Sequence, residues 1–381
     1  MKSFLIDFED ALISKTGIPI SIAIDAENIC KAGCKIFLWV SQTRQISPVQ
    51  DWINQTFSES EKKFVQVEPS RPTNFKIWIA QLFNIRLKIP EVDFVYVRLF
   101  PGIRFSTSAR RIIRVDDPFI DSPNRLALLL KFFLKPKIVI AKLLRDSAFR
   151  KVHSDSFLVP NSNYTYNKFK SLYKSVFNGR VIYPPVQFSQ TVESVLNANY
   201  RELLTPFFLF IGGQRQRKDP AQIINFWAKS SYLTRYSFYV LGDIPTDILT
   251  TESKLAVQSG KLKFVKNITS NELMKLILRS SGVVFNSHGE GFGNPIAEAL
   301  SSGRPIICND LAVFREVAGE FGFIFPTNDT NMALELLQNI VTNKSHFSSE
   351  SISKRINYSK RFSKENATDE WKEIVETLCE A

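Results

Sequence analysis

The sequence has little of what binds metals or cross-links a chain: its 381 residues hold four cysteines and three histidines. Four cysteines are too few for a disulfide scaffold of this length. Cys30 and Cys34 are four residues apart, one turn if that segment is helical, while Cys308 and Cys379 are isolated. His153, His288 and His346 are not near a cysteine at metal-ligand spacing, so no structural zinc and a reduced, cytoplasmic protein are expected. Long apolar runs are also missing. The nearest approach to ~18 apolar residues is Leu126–Leu144, broken by Lys131, Lys135, Pro136 and Lys137, so a membrane-spanning helix is not expected. Asp7, Glu9 and Asp10 stand where a signal peptide needs an apolar run, so no export signal is expected.

Phenylalanine, in contrast, is abundant: 32, against 10 Tyr and 5 Trp. So many rings need substantial cores or an apolar partner surface. The chain is 44% hydrophobic and 23% charged, an ordinary globular balance that excludes disorder and collagen. At about 150 residues per domain, the length suggests two domains.

The formal charge is +12, and it is uneven. Residues 125–151 hold eight basic residues (Arg125, Lys131, Lys135, Lys137, Lys142, Arg145, Arg150, Lys151) and one acid, Asp146, a net +7. Ser122 and Pro123 make a helix start, and Leu126, Leu129, Leu130 and Phe133 follow at helical spacing up to Pro136. Two readings stay open: a core helix with a solvated basic edge, or a basic helix lying in an anionic membrane surface. Nucleic acid is not expected as a partner, because aromatics do not interleave with the basic run.

Short apolar runs alternate with longer helical patterns. Expected strands are Phe4–Phe8, Lys35–Val40, Phe94–Arg98, Arg111–Val115, Phe157–Val159, Arg180–Tyr183, Phe207–Ile211, Phe238–Leu241, Lys263–Val265, Gly282–Asn286, Pro305–Cys308 and Phe321–Phe325. Between them lie helical patterns such as Asp219–Ala228, Ser270–Arg279 and Asn294–Ser302. Such alternation predicts an α/β protein with parallel sheets covered on both faces. The pattern restarts near Phe207 after the polar stretch Gln187–Glu202, which places a boundary between two doubly wound domains. The C-terminal piece is polar and helical with one large anchor, Trp371.

Ligands in such sheets bind at the carboxyl ends of the strands. The loop after Gly282–Asn286 reads Ser-His-Gly-Glu290-Gly-Phe-Gly293-Asn294-Pro295, and a helix opens there. Its glycines and the backbone N–H groups of the helix start suit an anionic ligand. Glu290 and Glu298 are eight residues apart across this turn. They can reach one ligand at different points, which suits hydroxyl recognition on two sugar rings better than a shared proton.

This run, EGFGNPIAEALSSGRPII, resembles the E-x7-E signature of retaining glycosyltransferases of family 4. Other matches follow in family order. Phe208–Asp219 resembles the family's strand–Gly–x4–Arg-Lys-Asn loop, and Asn161–Thr165 with Val181–Val186 resembles the NS-x-(F/Y)-T and YPP pair of its mannosyltransferase-like members. Leu5-Ile-Asp7 with Thr16-Gly17-Ile18 resembles the first strand and its Gly loop, and Arg361-Phe-Ser363 the lead-in to the last helix.

The resemblance implies a GT-B fold: two Rossmann-like parallel-sheet domains, residues 1–195 binding acceptor and 196–355 binding nucleotide sugar, facing across a cleft. Residues 356–381 would form a helix that packs back on the N-terminal domain. It implies transfer of a mannose- or deoxymannose-like hexose from a nucleotide diphosphate sugar to a hydroxyl of a lipid-linked or polysaccharide acceptor, with retention. No metal or other cofactor is implied, since Lys218 and Arg217 would neutralise the diphosphate. Glu298 would accept from the ribose hydroxyls and Glu290 from those of the donor sugar. Phe292, Gly293 and Asn294 would offer backbone N–H groups, Gly17 and Gly213 would let backbone approach the diphosphate, and Lys266 would lie near the base. Where many members carry His in a strand-end pattern, this chain has Asp116, which either takes over the sugar contact or marks an altered site. A decayed transferase acting as a binding scaffold, and a GT-B epimerase, are the competing readings.

Overall fold

The computed structural model describes residues 1–9, 11, 18–41, 46–82, 85–98, 104–116, 156–173, 178–186, 206–212, 216–327 and 329–380. The chain divides into two compact units, Met1–Pro185 with Glu365–Ala381, and Val186–Lys364. The expected boundary at 195/196 lies outside the described residues. The returning segment starts at Glu365, not at 356, because Ile352, Ile356 and Phe362 are buried within the second unit.

The first unit contains β1 (Ser3–Asp7), β2 (Lys35–Trp39), β3 (Val65–Glu68), β4 (Arg86–Leu87), β5 (Phe94–Val97), β6 (Arg104–Phe105), β7 (Arg110–Val115), β8 (Phe157–Pro160) and β9 (Asn178–Gly179). Seven of them form one parallel sheet in the order β3-β2-β1-β5-β7-β8-β9, and β4 pairs with β6 separately. Successive side chains of a strand point to opposite faces. Phe4, Ile6, Leu38, Tyr96 and Ile112 therefore join one core, and Leu5, Trp39, Val95, Val97 and Ile113 the other. Both faces are covered, as a parallel sheet requires. The expected strand Arg180–Tyr183 runs on from β9, with the Arg180 and Ile182 amides donating to Leu158 and Pro160 at 3.0 Å. The strand Val65–Glu68 has no counterpart among the expected ones.

The second unit contains β10 (Phe207–Ile211), β11 (Ser237–Leu241), β12 (Leu262–Val265), β13 (Gly282–Phe285), β14 (Ile306–Asn309) and β15 (Gly322–Phe325). Its parallel sheet has the order β12-β11-β10-β13-β14-β15. Counted from β10 this is the doubly wound order 3-2-1-4-5-6, which reverses direction between β10 and β13. The two loops leaving those strands diverge and leave a crevice. Much of the phenylalanine is spent here: Phe208, Phe210, Phe238 and Phe325 pack with Trp227, Leu337 and Ile340 in one core.

The helix Lys364–Glu380 closes the first unit. Trp371 is fully buried, and its Nε1 donates to Asp25 Oδ1 at 3.0 Å. Tyr96 donates its hydroxyl to the other oxygen of Asp25 at 2.6 Å. Ile374, Val375 and Leu378 complete the apolar stripe of the same helix. Cys30 and Cys34 are buried free thiols, pushed up by burial to about 11 and about 12, and Cys379 is exposed. Trp371→Phe keeps most of the ring but leaves Asp25 Oδ1 without its indole donor. It should cost about 1–3 kcal/mol in urea unfolding; an unchanged midpoint and slope would contradict this anchoring.

Candidate active site

The loop leaving β10 opens with Gly212 and ends in a short turn, Gln216–Lys218, before the helix Pro220–Lys229. Lys218 is buried, and its Nζ lies 4.6 Å from the centre of the Phe285 ring. It lies flat against Gly212: a Cβ there would come within 2.1 Å of Lys218 Cδ and 2.9 Å of Nζ. Gly212 has φ +132, so both the space and the backbone favour glycine. Asp219 caps the following helix from a left-handed backbone, φ 35 and ψ 61. Pro220 then fixes the first helical position.

The loop leaving β13 runs to the helix Asn294–Ser301, whose N-cap is Gly293 at φ 102. Ser287 is fastened to β14: its amide donates to Asn309 Oδ1 at 3.0 Å, and Asn309 Nδ2 donates to its carbonyl at 2.8 Å. Ser287 Oγ donates in turn to Glu290 Oε1 at 3.3 Å, and Arg217 Nη2 lies 3.1 Å from Glu290 Oε2. Arg217, Lys218, Glu290 and Glu298 thus converge at the point where the strand order reverses. Asn309 was not visible from sequence as part of the site. The one signal for it is a buried polar residue directly after the apolar run Ile306-Ile-Cys308.

Glu298 stands on the second turn of its helix, only partly open to solvent. Burial pushes its carboxyl up to about 7, with the Lys218 cation pulling the other way.

Residues 199–362 match the model of the family described as glycosyl transferases group 1. The match covers under half of the chain. Two curated relatives align over part of the chain. The serotype-specific mannosyltransferase WbdA of Escherichia coli is 31% identical over 127 residues, 32% of this chain and 15% of that protein. The O-antigen chain mannosyltransferase RfbU of Salmonella typhimurium is 29% identical over 140 residues, 36% of this chain and 37% of that protein. The chain therefore spans well under two thirds of these relatives. Among solved structures, WaaG, a glycosyltransferase involved in lipopolysaccharide biosynthesis, superposes with a TM-score of 0.65 at 13% identity, covering 96% of this chain and 98% of that one. Anabaena HepE in complex with UDP and glucose superposes at 0.66 and 13% identity over 100% of both chains. With these neighbours the fold is GT-B.

In the matched segment, Gly293 sits where a Cβ would press on Phe314 and Ile296 at 3.2 and 3.3 Å. The side chain of Phe292 is buried edge-on against Phe362, centroids 5.4 Å apart, so any ligand contact falls to its backbone. Asn294 is exposed at the helix start. Lys266 is half-exposed and paired with Asp243 at 2.5 Å, so its charge is already matched. His288 is exposed, 3.9 Å from Asp219. Gly213 and Gly17 lie outside the described residues.

Asp116 lies in the other unit, at the end of β7. Its Oδ1 faces Arg114 Nε at 3.0 Å and its Oδ2 Arg98 Nε at 2.5 Å, and Asn161 donates to its carbonyl. Burial alone would raise its carboxyl, but the two guanidiniums outweigh that and hold it below the usual range. Asp116 is a fixed member of an ion-pair cluster. Among the described residues no group of three or more His, Cys, Asp or Glu is placed to hold a metal ion.

The raised carboxyl of Glu298 has a measurable consequence. Between its ordinary value of 4.5 and about 7 the native state keeps a proton that the unfolded chain has lost. Stability should therefore fall as pH rises through that window. Glu298→Gln should flatten the fall in urea titrations at stepped pH; an equal slope in both proteins would contradict the burial of this acid.

Proposed function

We propose that the chain is a retaining, metal-independent glycosyltransferase. It moves a mannose- or deoxymannose-like hexose from a nucleotide diphosphate sugar to a hydroxyl of a lipid-linked or polysaccharide acceptor in surface-glycan assembly. The observation that carries this is the convergence of Lys218, Glu290 and Glu298 at the sheet reversal of the matched segment. The names of the relatives support the mannosyl and O-antigen class. The HepE complexes, with UDP and with UDP-glucose, support a nucleotide sugar as donor.

The proposed chemistry is the one that the family resemblance implies for these residues. As the glycosidic bond breaks, charge builds on the departing diphosphate, and a pre-placed lysine stabilises that state more than the ground state. Lys218 is held for this without reorganisation. Glu298 accepts from ribose hydroxyls. Glu290 accepts from hydroxyls of the donor sugar. The acceptor hydroxyl attacks from the side the diphosphate leaves, and the leaving phosphate takes its proton. This yields retention with no protein nucleophile.

Two experiments test this reading. Lys218→Ala and Glu290→Ala should each abolish transfer while melting close to the parent, assayed with GDP-mannose and UDP-glucose; turnover near the parental rate in either variant would sink the assignment. The basic stretch 125–151, which lies outside the described residues, would bring the enzyme to an anionic membrane face and its lipid-linked acceptor. No described helix is long and apolar enough to cross a membrane. Vesicles containing anionic lipid should carry the protein in flotation at low salt and release it at high salt; no flotation at low salt would refute the docking.

A further inference from the structure

Arg217 stands beside Lys218, and the sequence resemblance sends both cations to the diphosphate. The contacts of Arg217 lead elsewhere. Its Nη2 lies 3.1 Å from Glu290 Oε2, and its Nη1 donates to the Gly289 carbonyl at 2.9 Å. Its own carbonyl accepts from the His288 amide at 2.7 Å. Three consecutive residues of the β13 loop are thus tied to one arginine.

The loop needs such a tie. Glycines at 289, 291 and 293 make it costly to order. A carboxylate that must meet sugar hydroxyls has to be held to within about half an ångström. Glu290 is held at both oxygens, by Arg217 on one side and by Ser287 at 3.3 Å on the other. Ser287 is itself fixed to β14 by Asn309. A guanidinium bridges a carbonyl and a carboxylate through its planar fork, which an ammonium does not reproduce. Lys218, one residue on, points the other way, over Phe285 and against Gly212.

We propose that Arg217 is a positioning residue for Glu290 and not a ligand of the diphosphate. The pair divides its work: Lys218 meets the leaving group, and Arg217 sets the loop that receives the donor sugar. This inference rests on the donor-site reading above.

The test compares Arg217→Gln, Arg217→Lys and Lys218→Met with the parent. Affinity for GDP and UDP is read by titration calorimetry, kcat with GDP-mannose and UDP-glucose, and the β13 loop by amide hydrogen exchange. Arg217→Gln should leave diphosphate affinity within about twofold, lower kcat by about tenfold or more, and speed exchange at residues 288–291. Arg217→Lys should recover part of kcat, since it restores charge but only one arm of the fork. Lys218→Met should lose diphosphate affinity and leave the loop's exchange unchanged. If Arg217→Gln weakens GDP or UDP binding as much as Lys218→Met, Arg217 is a diphosphate ligand and the proposal is overturned. Unchanged kcat or loop exchange in Arg217→Gln also overturns it. If Lys218→Met binds like the parent, the donor-site reading itself fails, which is a separate result.

Discussion

A buried ammonium is costly unless its surroundings compensate it, and Lys218 is such a group. What surrounds it explains much of the second unit's local chemistry. The ring of Phe285 offers its negative face at 4.6 Å. Gly212 leaves the slot in which the stem lies. Glu298 stands near enough for each to act on the other's charge. The turn that delivers Lys218 ends in Asp219 at φ 35, a backbone that costs an ordinary residue about 1–2 kcal/mol. These features sit at one place because the sheet reverses between β10 and β13.

The two acids of the site differ by environment. Glu290 lies in a glycine-rich loop and is paired with Arg217, so what it has to offer is a fixed direction. Glu298 is built into a helix and largely enclosed, and burial raises its carboxyl against the pull of Lys218. In the first unit the same rules give another outcome. Asp116 and Asp25 are buried, and Arg114 faces both, with Nη1 at 3.5 Å from Asp25 Oδ2 and Nε at 3.0 Å from Asp116 Oδ1. Arg98 adds a second cation at Asp116. Two acids and two arginines thus neutralise one another across the sheet and reach the indole of Trp371. Asp116 is thus a member of a buried ion-pair cluster.

Runs such as Phe207–Ile211 and Gly282–Phe285 were legible because a strand buried on both faces must be apolar throughout, and the glycines after them mark the turns. The loop with Glu290 and the helix with Glu298 were legible for the same reason. Val65–Glu68 was missed because it is short and half polar at the sheet's edge. The contacts of Arg217 were also not legible. Its partners are some seventy residues away, and sequence adjacency to Lys218 suggested a shared target. The ion pairs of Asp116 were not legible for a similar reason, because Arg98 and Arg114 come to it only once β5 and β7 are side by side. Asn309 carries no motif; its part appears only when β14 lies beside β13.

The most direct measurement is a crystal structure of the protein with a bound nucleoside diphosphate. The account predicts the diphosphate within hydrogen-bond distance of Lys218 Nζ, the ribose hydroxyls on Glu298, and Arg217 still seated on Glu290 and Gly289. A nucleotide bound away from the β10–β13 crevice, or a diphosphate out of reach of Lys218, would contradict it.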